Sequence, residues 1–441
     1  MKASPVRMSR LDSGEFPFLS SKLPELYIFV RDNQLFTSLK IKDFQLLWIS
    51  SAFAAFGLQM RAIAQGWLIY ELTQSPMALT WVMLSFVVPS AIFSLVGGVI
   101  ADRISKKNIM VFARLFNAVA TCVLAYITFI GEVTFWHFIY FGIFNGAIGS
   151  LSIPASFSIV PEIVRKENLV NATALQTSTF NLASIIGPIL AGTIIAVLSD
   201  GDTSSTYSVG LVFFVISAML FLAAFLTMFI DHQGRPANSP TTSFTEDLRE
   251  GLHFIRTEKL VLGLMMMGLV PSAFGKSLHF LLPAFNQDVI GGGPDELGMI
   301  TAGMGIGALF GSILLARLGN FKAKGFMLYR FAYGWAAAIA LFTLTGNLIV
   351  AIVLGAVTAF FSSLFGSLQM SITQMVTPQY IRGRVMSLIM VMSGIMPLAV
   401  IPVGAIAEYF SIVTAFVFAA MMLALSAWVL HVIFPDLKSI D

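Results

Sequence analysis

The stretch GGVIADRISKKN, residues 97–108, joins the second and third of twelve hydrophobic segments, and together with them it decides the fold. Each segment is long enough to cross a bilayer, because a spanning helix needs about 20 apolar residues at about 1.5 Å per residue. The predicted spans cover residues 44–70, 77–100, 109–130, 135–157, 170–198, 208–230, 260–286, 296–316, 325–345, 347–372, 386–407 and 411–434. We therefore expect an all-α integral membrane protein.

Composition supports this fold class, since 57% of the residues are hydrophobic and only 11% are charged. Cys122 is the single cysteine, so no intramolecular disulfide can form. The sequence has no nucleophile with a nearby base, no metal-ligand cluster and no G-x-x-x-x-G-K-[ST] phosphate loop. We expect neither an enzyme nor a requirement for a metal or another cofactor.

Charge is distributed unequally between the two ends of the spans. The connections on one side contain acids and no lysine or arginine, namely Glu71, Glu132, Asp200, Asp202, Asp288, Asp295, Glu296 and Glu408. Of the 26 basic residues, 24 lie at or near the other side, and we assign Arg114 to this group. Because cytoplasmic loops are rich in lysine and arginine, both termini are expected in the cytoplasm, with the chain in the cell (inner) membrane.

The membrane pattern is interrupted between residues 231 and 259, where a flexible stretch precedes an amphipathic helix. This interruption divides the twelve spans into six and six. The predicted organisation is a cytoplasmic N-terminal extension, a first six-helix bundle, the cytoplasmic linker, a second six-helix bundle and a cytoplasmic tail, at residues 1–42, 43–230, 231–259, 260–434 and 435–441.

The two halves repeat each other weakly. GGVIADRIS at residues 97–105 aligns with GSILLARLG at 311–319, which puts Arg103 over Arg317. PEIVRKEN at 161–168, after the fourth span, has its counterpart in TPQYIRGR at 377–384, after the tenth. Internal repetition of this kind is how many carriers are built, so we expect two pseudo-symmetric bundles.

Over about residues 38–434 the chain resembles the major facilitator superfamily (MFS) of transporters, in the exporter branch that contains enterobactin exporters and macrolide and drug efflux proteins. The passages that carry the resemblance include GWLIYELTQSPMAL, GGVIADRISKKN, VPEIVRKENLVNATAL, GPILAG and YIRGRVMSL.

The superfamily loop motif is matched by Gly98, Asp102, Arg103, Lys106 and Lys107, and the resemblance implies a gating loop there. Its second glycine is replaced by serine in this chain. An alternative is that the basic residues only establish membrane topology, but topology explains neither the glycine nor the aspartate.

GPILAG in the fifth span matches the antiporter signature of exporters at Gly187, Pro188 and Gly192, with Ala191 where that signature has glycine. The resemblance implies export. Plain helix packing is the alternative, because a Gly-Pro pair also kinks a span and allows close approach of a neighbour.

Two cations lie deep in corresponding spans of the two halves, Arg61 in the first and Lys276 in the seventh. A charge near the bilayer centre costs about 2.5–3.5 kcal/mol on insertion scales, which favours a watery cavity or a partner. Gln65 shares a helix face with Arg61, and His279 shares one with Lys276. We predict that these four residues bind substrate; the alternative is that helix carbonyls or snorkelling satisfy the two cations.

No carboxylate falls within a span interior, so two buried cations favour an anionic or electron-rich cargo. We expect a secondary active exporter of small amphiphilic anions that works by alternating access. Histidine is the side chain whose unperturbed pKa lies near neutral pH, which makes His279 a candidate for proton coupling, and a desolvated Lys276 is the alternative. An importer of the same fold and a lipid flippase remain alternatives. The expected partners are a small-molecule substrate, the lipid bilayer and protons, with no nucleic acid and a monomeric protein.

Other polar and small residues give weaker signals. Glycines at four-residue spacing, Gly303 with Gly307 and Gly311, and Gly142 with Gly146, predict close-packing seams between helices. Further mid-span amides either line a cavity or form ordinary interhelical hydrogen bonds, namely Asn117, Asn145, Gln176, Asn181, Gln369 and Gln374.

Overall fold

The computed structural model describes residues 34–101, 104–199, 205–234, 250, 253–319, 321–381, 384–386, 388–389 and 396–440. Over these residues the protein is helical and contains no β-strand. The α-helices are α1 Lys42–Thr73, α2 Pro76–Ala101, α3 Lys106–Phe129, α4 Phe135–Ile163, α5 Leu169–Leu198, α6 Thr206–Met228, α7 Lys259–Gly275, α8 Ser277–Phe285, α9 Pro294–Leu318, α10 Lys324–Phe342, α11 Leu348–Val376, α12 Val400–Tyr409 and α13 Ile412–Ile433.

Ten of the described helical segments are long and apolar enough to cross a membrane. A helix is the form expected in lipid, because it pairs its backbone N–H and C=O groups internally. The first N–H groups of a helix have no carbonyl partner within the helix, and polar side chains accept their hydrogen bonds instead. Asn347 accepts from Ile349 N at 3.0 Å at the start of α11, and Ser411 accepts from Thr414 N at 3.1 Å at the start of α13.

Helices α1–α6 form one bundle and α7–α13 form the other. In the first bundle α2 packs along α4, and in the second α9 packs along α11. Gly142 and Gly146 of α4 lie against the backbone of α2 at Phe86, and Gly307 and Gly311 of α9 lie against the backbone of α11. A Cβ at any of these glycines would overlap the facing helix, so the predicted close-packing seams are confirmed.

The two ends of the helices differ in charge. We call the end that carries the acids the acidic face, defined by Glu71, Glu132, Asp288 and Glu408. We call the opposite end the basic face, defined by Lys42, Lys106, Arg165 and Arg317.

The bundles meet near the acidic face. Gly192 of α5 lies against the backbone of Pro294 at the start of α9, and Gly298 of α9 lies against the carbonyl group of Pro188 in α5. Helix α8 contacts α1 and α2, and α12 contacts α2. These contacts hold the acidic-face halves of the bundles together.

The predicted seventh span at residues 260–286 corresponds to Lys259–Ile290, a segment long and apolar enough to cross a membrane, and the structure shows that its helix is interrupted. Helix α7 ends at Gly275, Lys276 forms a turn, and α8 begins at Ser277. Gly275 packs directly on the indole ring of Trp335, at a site that a Cβ would overlap. Glycine weakens a helix, so a break at this point is less costly than elsewhere in the span.

Several predicted segments fall partly outside the described residues. Asp102 and Arg103 of the loop motif lie outside them, as do residues 1–33 and most of the linker. The described end of the N-terminal extension, Gln34–Lys40, is a 3₁₀ helix that docks on the start of α5. There Ser38 Oγ donates to the carbonyl oxygen of Asn168 at 3.1 Å.

Candidate substrate cavity

A cavity of about 490 Å³ lies inside the first bundle, between α1, α3, α4, α5 and α6. Its lining begins at Trp48 and Thr173, in the second turns of α1 and α5 near the basic face. It ends at mid-depth, where Arg61 and Asn145 face it. Most of the wall area is apolar, although polar side chains are spread along it, and the volume lies in the range of small-molecule binding sites.

Arg61 is held at the cavity by neutral groups. Its Nη1 donates long hydrogen bonds to Asn117 Oδ1 at 3.5 Å and to Asn145 Oδ1 at 3.4 Å. Its guanidinium carbon also lies 5.5 Å from the centroid of the Phe141 ring, a cation–π distance. Across the described residues no carboxylate lies within ion-pair distance of Arg61. The positive charge therefore has no internal counter-charge in this part of the chain.

Arg114 lines the same cavity, which corrects its assignment to the basic face. The residue lies in the third turn of α3, and only 8% of it is exposed. Its guanidinium group donates to the hydroxyls of Ser50 and Thr227, and to Ser51 Oγ at 3.2 Å. The sequence does contain an indication of this position. More than two helical turns separate Arg114 from Lys106 at the start of α3, which places Arg114 inside the span.

Lys276 faces a second, smaller cavity of about 200 Å³ inside the other bundle. Ser272, Trp335 and Gln369 are among the other residues that line it. The Gln369 amide is anchored, since its Nε2 donates to the carbonyl oxygen of Leu264 at 3.1 Å. Arg61 and Lys276 thus line two different cavities, one in each bundle, rather than one shared pocket.

The two remaining predicted site residues are less closely associated with these cavities. Gln65 is partly buried on α1 and His279 is exposed on α8, and within the described residues both lie outside the lining of the two cavities. His279 packs edge-on against Phe280, with ring centroids 6.0 Å apart. It stays within one helical turn of Lys276.

The described part of the loop motif is tied to neighbouring segments at the basic face. Lys106 forms an ion pair with Glu162 at the end of α4, and Glu162 also lies 3.0 Å from Nε2 of His232. Lys107 N donates to the carbonyl oxygen of Gln233 at 3.2 Å. Partial burial alone would raise the pKa of the Glu162 carboxyl, but the hydrogen bonds from Lys106 and His232 outweigh it and lower that pKa. Gly98 lies in the last turns of α2.

The GPILAG residues lie where α5 meets two other helices. Gly187 packs against the Cβ atom of Gln59 on α1, while Pro188 and Gly192 contact the start of α9. The signature therefore forms part of the contact between the bundles near the acidic face.

Sequence comparison assigns the family. Residues 34–441 match the family described as transmembrane secretion effector. The chain belongs to this family of major facilitator superfamily transporters. It is a multi-pass membrane transporter and not an enzyme, and the all-helical fold of its described residues, with two helical bundles, is the fold of that superfamily.

Two curated relatives of the chain are efflux proteins by name. It is 26% identical to the enterobactin exporter EntS of Shigella boydii serotype 18 over 298 residues, which is 66% of this chain and 67% of the relative. It is 24% identical to macrolide efflux protein A of Streptococcus pyogenes over 363 residues, which is 81% of this chain and 87% of that protein.

Solved structures share the fold at lower identity. The nucleoside transporter NupG superposes with a TM-score of 0.68 at 16% identity, covering 89% of this chain and 99% of NupG. A bacterial homolog of the human lysosomal transporter Spinster, solved in an inward-facing and unoccupied conformation, superposes with a TM-score of 0.68 at 13% identity. That match covers 90% of this chain and 95% of the homolog.

Proposed function

We propose that this protein exports small amphiphilic anions by alternating access and exchanges them for protons. The observation that carries the proposal is the environment of Arg61, a cation that faces a mostly apolar cavity and is held by two amides and an aromatic ring. An anionic substrate would supply the counter-charge that these neutral groups do not.

The bundles are joined at the acidic face, and the larger cavity lies toward the basic face. This arrangement supports uptake of substrate from the cytoplasm. Direct hydrogen bonds join the bundles at the acidic face, where Gln287 Nε2 donates to Glu71 Oε2 at 2.8 Å and Ser75 Oγ donates to Glu408 Oε2 at 2.7 Å. The larger cavity extends to the second turns of α1 and α5, near the basic face. We assign the basic face and both termini to the cytoplasm, because lysine and arginine concentrate in cytoplasmic loops. The described conformation is then inward-facing.

Lys276 supports the same choice of cargo from the second bundle. It lies at the break between α7 and α8, beside the cavity that Ser272 and Gln369 also line. When the bundles close on the substrate, we expect Arg61 and Lys276 to face it from opposite sides. Gln65 lies one helical turn from Arg61, and His279 lies one turn from Lys276, in each case toward the acidic face.

Proton exchange is assigned to His279. The described carboxylates lie at helix ends or in connections, whereas His279 lies in a span one turn from Lys276. We expect His279→Asn to abolish acceleration of transport by a pH gradient while leaving substrate exchange in the absence of a gradient. Loss of both activities would instead assign His279 to substrate binding.

The test measures transport into inside-out membrane vesicles, with and without a pH gradient. The transported compounds are matched anionic, neutral and cationic forms of one aromatic scaffold. We expect gradient-dependent uptake of the anion, reduced about tenfold or more by Arg61→Gln. The matched control is Arg330→Gln, which removes a cation that lies over the Phe326 ring outside both cavities. Equal uptake of all three forms, unchanged in Arg61→Gln, would refute the proposal.

Direction and cargo size are tested with the same preparation. Accumulation in right-side-out rather than inside-out vesicles would identify an importer. Movement of a labelled lysophospholipid with no uptake of the small anions would identify a lipid flippase, the other alternative that the sequence leaves open.

A further inference from the structure

We propose that Arg114 forms a second anion-binding position in the first-bundle cavity, which selects amphiphiles that carry two separated anionic groups over amphiphiles that carry one. The inference rests on the proposed function, because it takes Arg61 as the first anion contact. The inference adds Arg114 to the anion-binding residues. It also specifies substrates with two acidic groups, which the paired cations Arg61 and Lys276 do not predict.

The two arginines lie at successive depths of one cavity. Both line it, and Arg114 is hydrogen-bonded to Ser50, which lies three turns, about 16 Å of helix, from Arg61 along α1. Asn117, which accepts a hydrogen bond from Arg61, is one turn from Arg114 on α3. A molecule that entered from the basic face would meet Arg114 before Arg61.

The partners of Arg114 leave its charge uncompensated. All three are hydroxyls, on Ser50, Ser51 and Thr227, and Thr227 Oγ1 also hydrogen-bonds to the carbonyl oxygen of Ala223 at 2.6 Å. In the described part of the chain no acid lies within ion-pair distance of Arg114. A buried charge without a counter-ion is costly, and an entering carboxylate or sulfonate would supply the counter-charge that the hydroxyls do not.

The sides of the cavity formed by α1 and α6 are apolar between the two cations, whereas α3 and α5 contribute polar groups such as Asn117 and Gln176. Ala54 and Leu58 of α1 and Ile216 and Leu220 of α6 line the cavity. A ligand that fits this pattern has an apolar body between two acidic groups. Each acidic group would lie against a guanidinium group, whose planar set of donors matches a carboxylate or sulfonate.

A purely structural role for Arg114 predicts different behaviour. The side chain joins α1, α3 and α6 through its three hydroxyl partners, so its loss would then weaken the bundle and reduce binding of every ligand equally. Discrimination between one and two anionic groups is the property that separates the two roles.

The experiment measures binding of naphthalene-1-sulfonate and naphthalene-1,5-disulfonate to the purified full-length protein in a neutral detergent by isothermal titration calorimetry. We expect wild type to bind the disulfonate about fivefold or more tightly than the monosulfonate. Arg114→Gln should abolish that ratio and leave the monosulfonate Kd within about twofold of wild type. Equal weakening of both probes, or an unchanged ratio, would overturn the proposal.

A second variant keeps the test decisive if Arg114→Gln does not fold. Ser51→Asp introduces a carboxylate beside the intact Arg114, where Ser51 Oγ now accepts at 3.2 Å. It should remove the preference for the disulfonate, whereas the uncharged control Ser51→Asn should retain it. Retention of the preference in Ser51→Asp would refute the role of Arg114. Failure of the proposed function has a different signature, namely a monosulfonate Kd that Arg61→Gln leaves unchanged.

Discussion

The hydroxyl of Tyr70 donates a hydrogen bond of 2.6 Å to Oδ2 of Asp288. Tyr70 lies in the last turn of α1, and Asp288 lies in the π-helical turn Asn286–Ile290 that follows α8. The bond therefore joins the two bundles at the acidic face. Because it runs from a neutral donor to a carboxylate, it belongs to the stronger class of hydrogen bonds.

Tyr70→Phe is expected to favour opening of the acidic face. Loss of a hydrogen bond to a charged group costs about 1.5–3 kcal/mol, which raises the open population about tenfold or more. Spin labels at the exposed positions Leu72 and Tyr409, in a Cys122→Ser background, report the distance between the bundles. Pulsed electron paramagnetic resonance should show a larger fraction of long distances in Tyr70→Phe than in the parent.

Tyr207→Phe is the matched control for this substitution. Tyr207 lies at the start of α6 near the same face, and its ring packs on Phe129 of its own bundle. The control should leave the distance distribution unchanged. A distribution in Tyr70→Phe identical to that of the control would show that the bond does not hold the face closed.

Gly192→Ala is expected to destabilise the contact between α5 and α9. The added Cβ would overlap the carbonyl oxygen of Pro294, and relief of such overpacking typically costs about 1–3 kcal/mol. Gly366→Ala is the matched control, because a Cβ there meets no atom within 4 Å and alanine favours the helix. Thermal unfolding in detergent should show a lower Tm for Gly192→Ala and no decrease for Gly366→Ala. Equal Tm values would contradict the close packing at Gly192.

Lys276→Gln is expected to weaken transport of anions and to spare their neutral counterparts. The side chain faces the smaller cavity, and loss of a charge-assisted contact reduces kcat/KM for the anion about tenfold. Lys322→Gln, in the connection before α10, removes a cation remote from both cavities and serves as the control. Vesicle uptake of the anionic and neutral probes measures the ratio. A fall of both rates together would assign Lys276 to folding instead of selectivity.

Stability is expected to fall at acidic pH through Glu162. Its pKa is lower in the folded protein than the ordinary value of 4.5, so its contribution is present above about pH 4.5 and is lost as pH falls through the folded-state pKa. The group is partly exposed, so the contribution is on the order of 0.5 kcal/mol. Thermal unfolding of wild type and Glu162→Gln should show a constant Tm difference between about pH 7 and pH 5, and Tm values that converge as pH falls further below about 4.5. A difference that stays constant at lower pH as well would mean that the ion pair with Lys106 is not stabilising.

Local patterns predicted much of this structure. The glycines at 303, 307 and 311 recur once per helical turn, which is sufficient to predict a seam, because every member of the repeat lies on one helix. The all-helical fold likewise follows from the length and hydrophobicity of each segment. Glycine spacing, segment length and hydrophobicity are properties of one segment, so they can be predicted without knowing which helix packs against it.

Features that depend on a partner distant in sequence were missed or only partly predicted. The break at Lys276 follows Gly275, and Gly275 packs on the indole ring of Trp335, which lies on another helix. The burial of Arg114 depends on hydroxyls from α1 and α6. Arg61 and Lys276 were recognised as deep cations, but their separation into two cavities is set by the packing of the bundles, which spacing within a helix does not encode.

Among the described residues, those that line the larger cavity belong to the first bundle, whereas Gly192, Pro188 and Tyr70 hold that bundle to the second. In the proposed function, the residues that select the substrate at this cavity therefore differ from the residues that join the two bundles. Substitutions at the cavity wall can change the cargo without disturbing the contacts that every transport cycle must break and remake. Such a chain can diverge toward new compounds through mutations at the walls of its two cavities, while the residues that join the bundles stay the same.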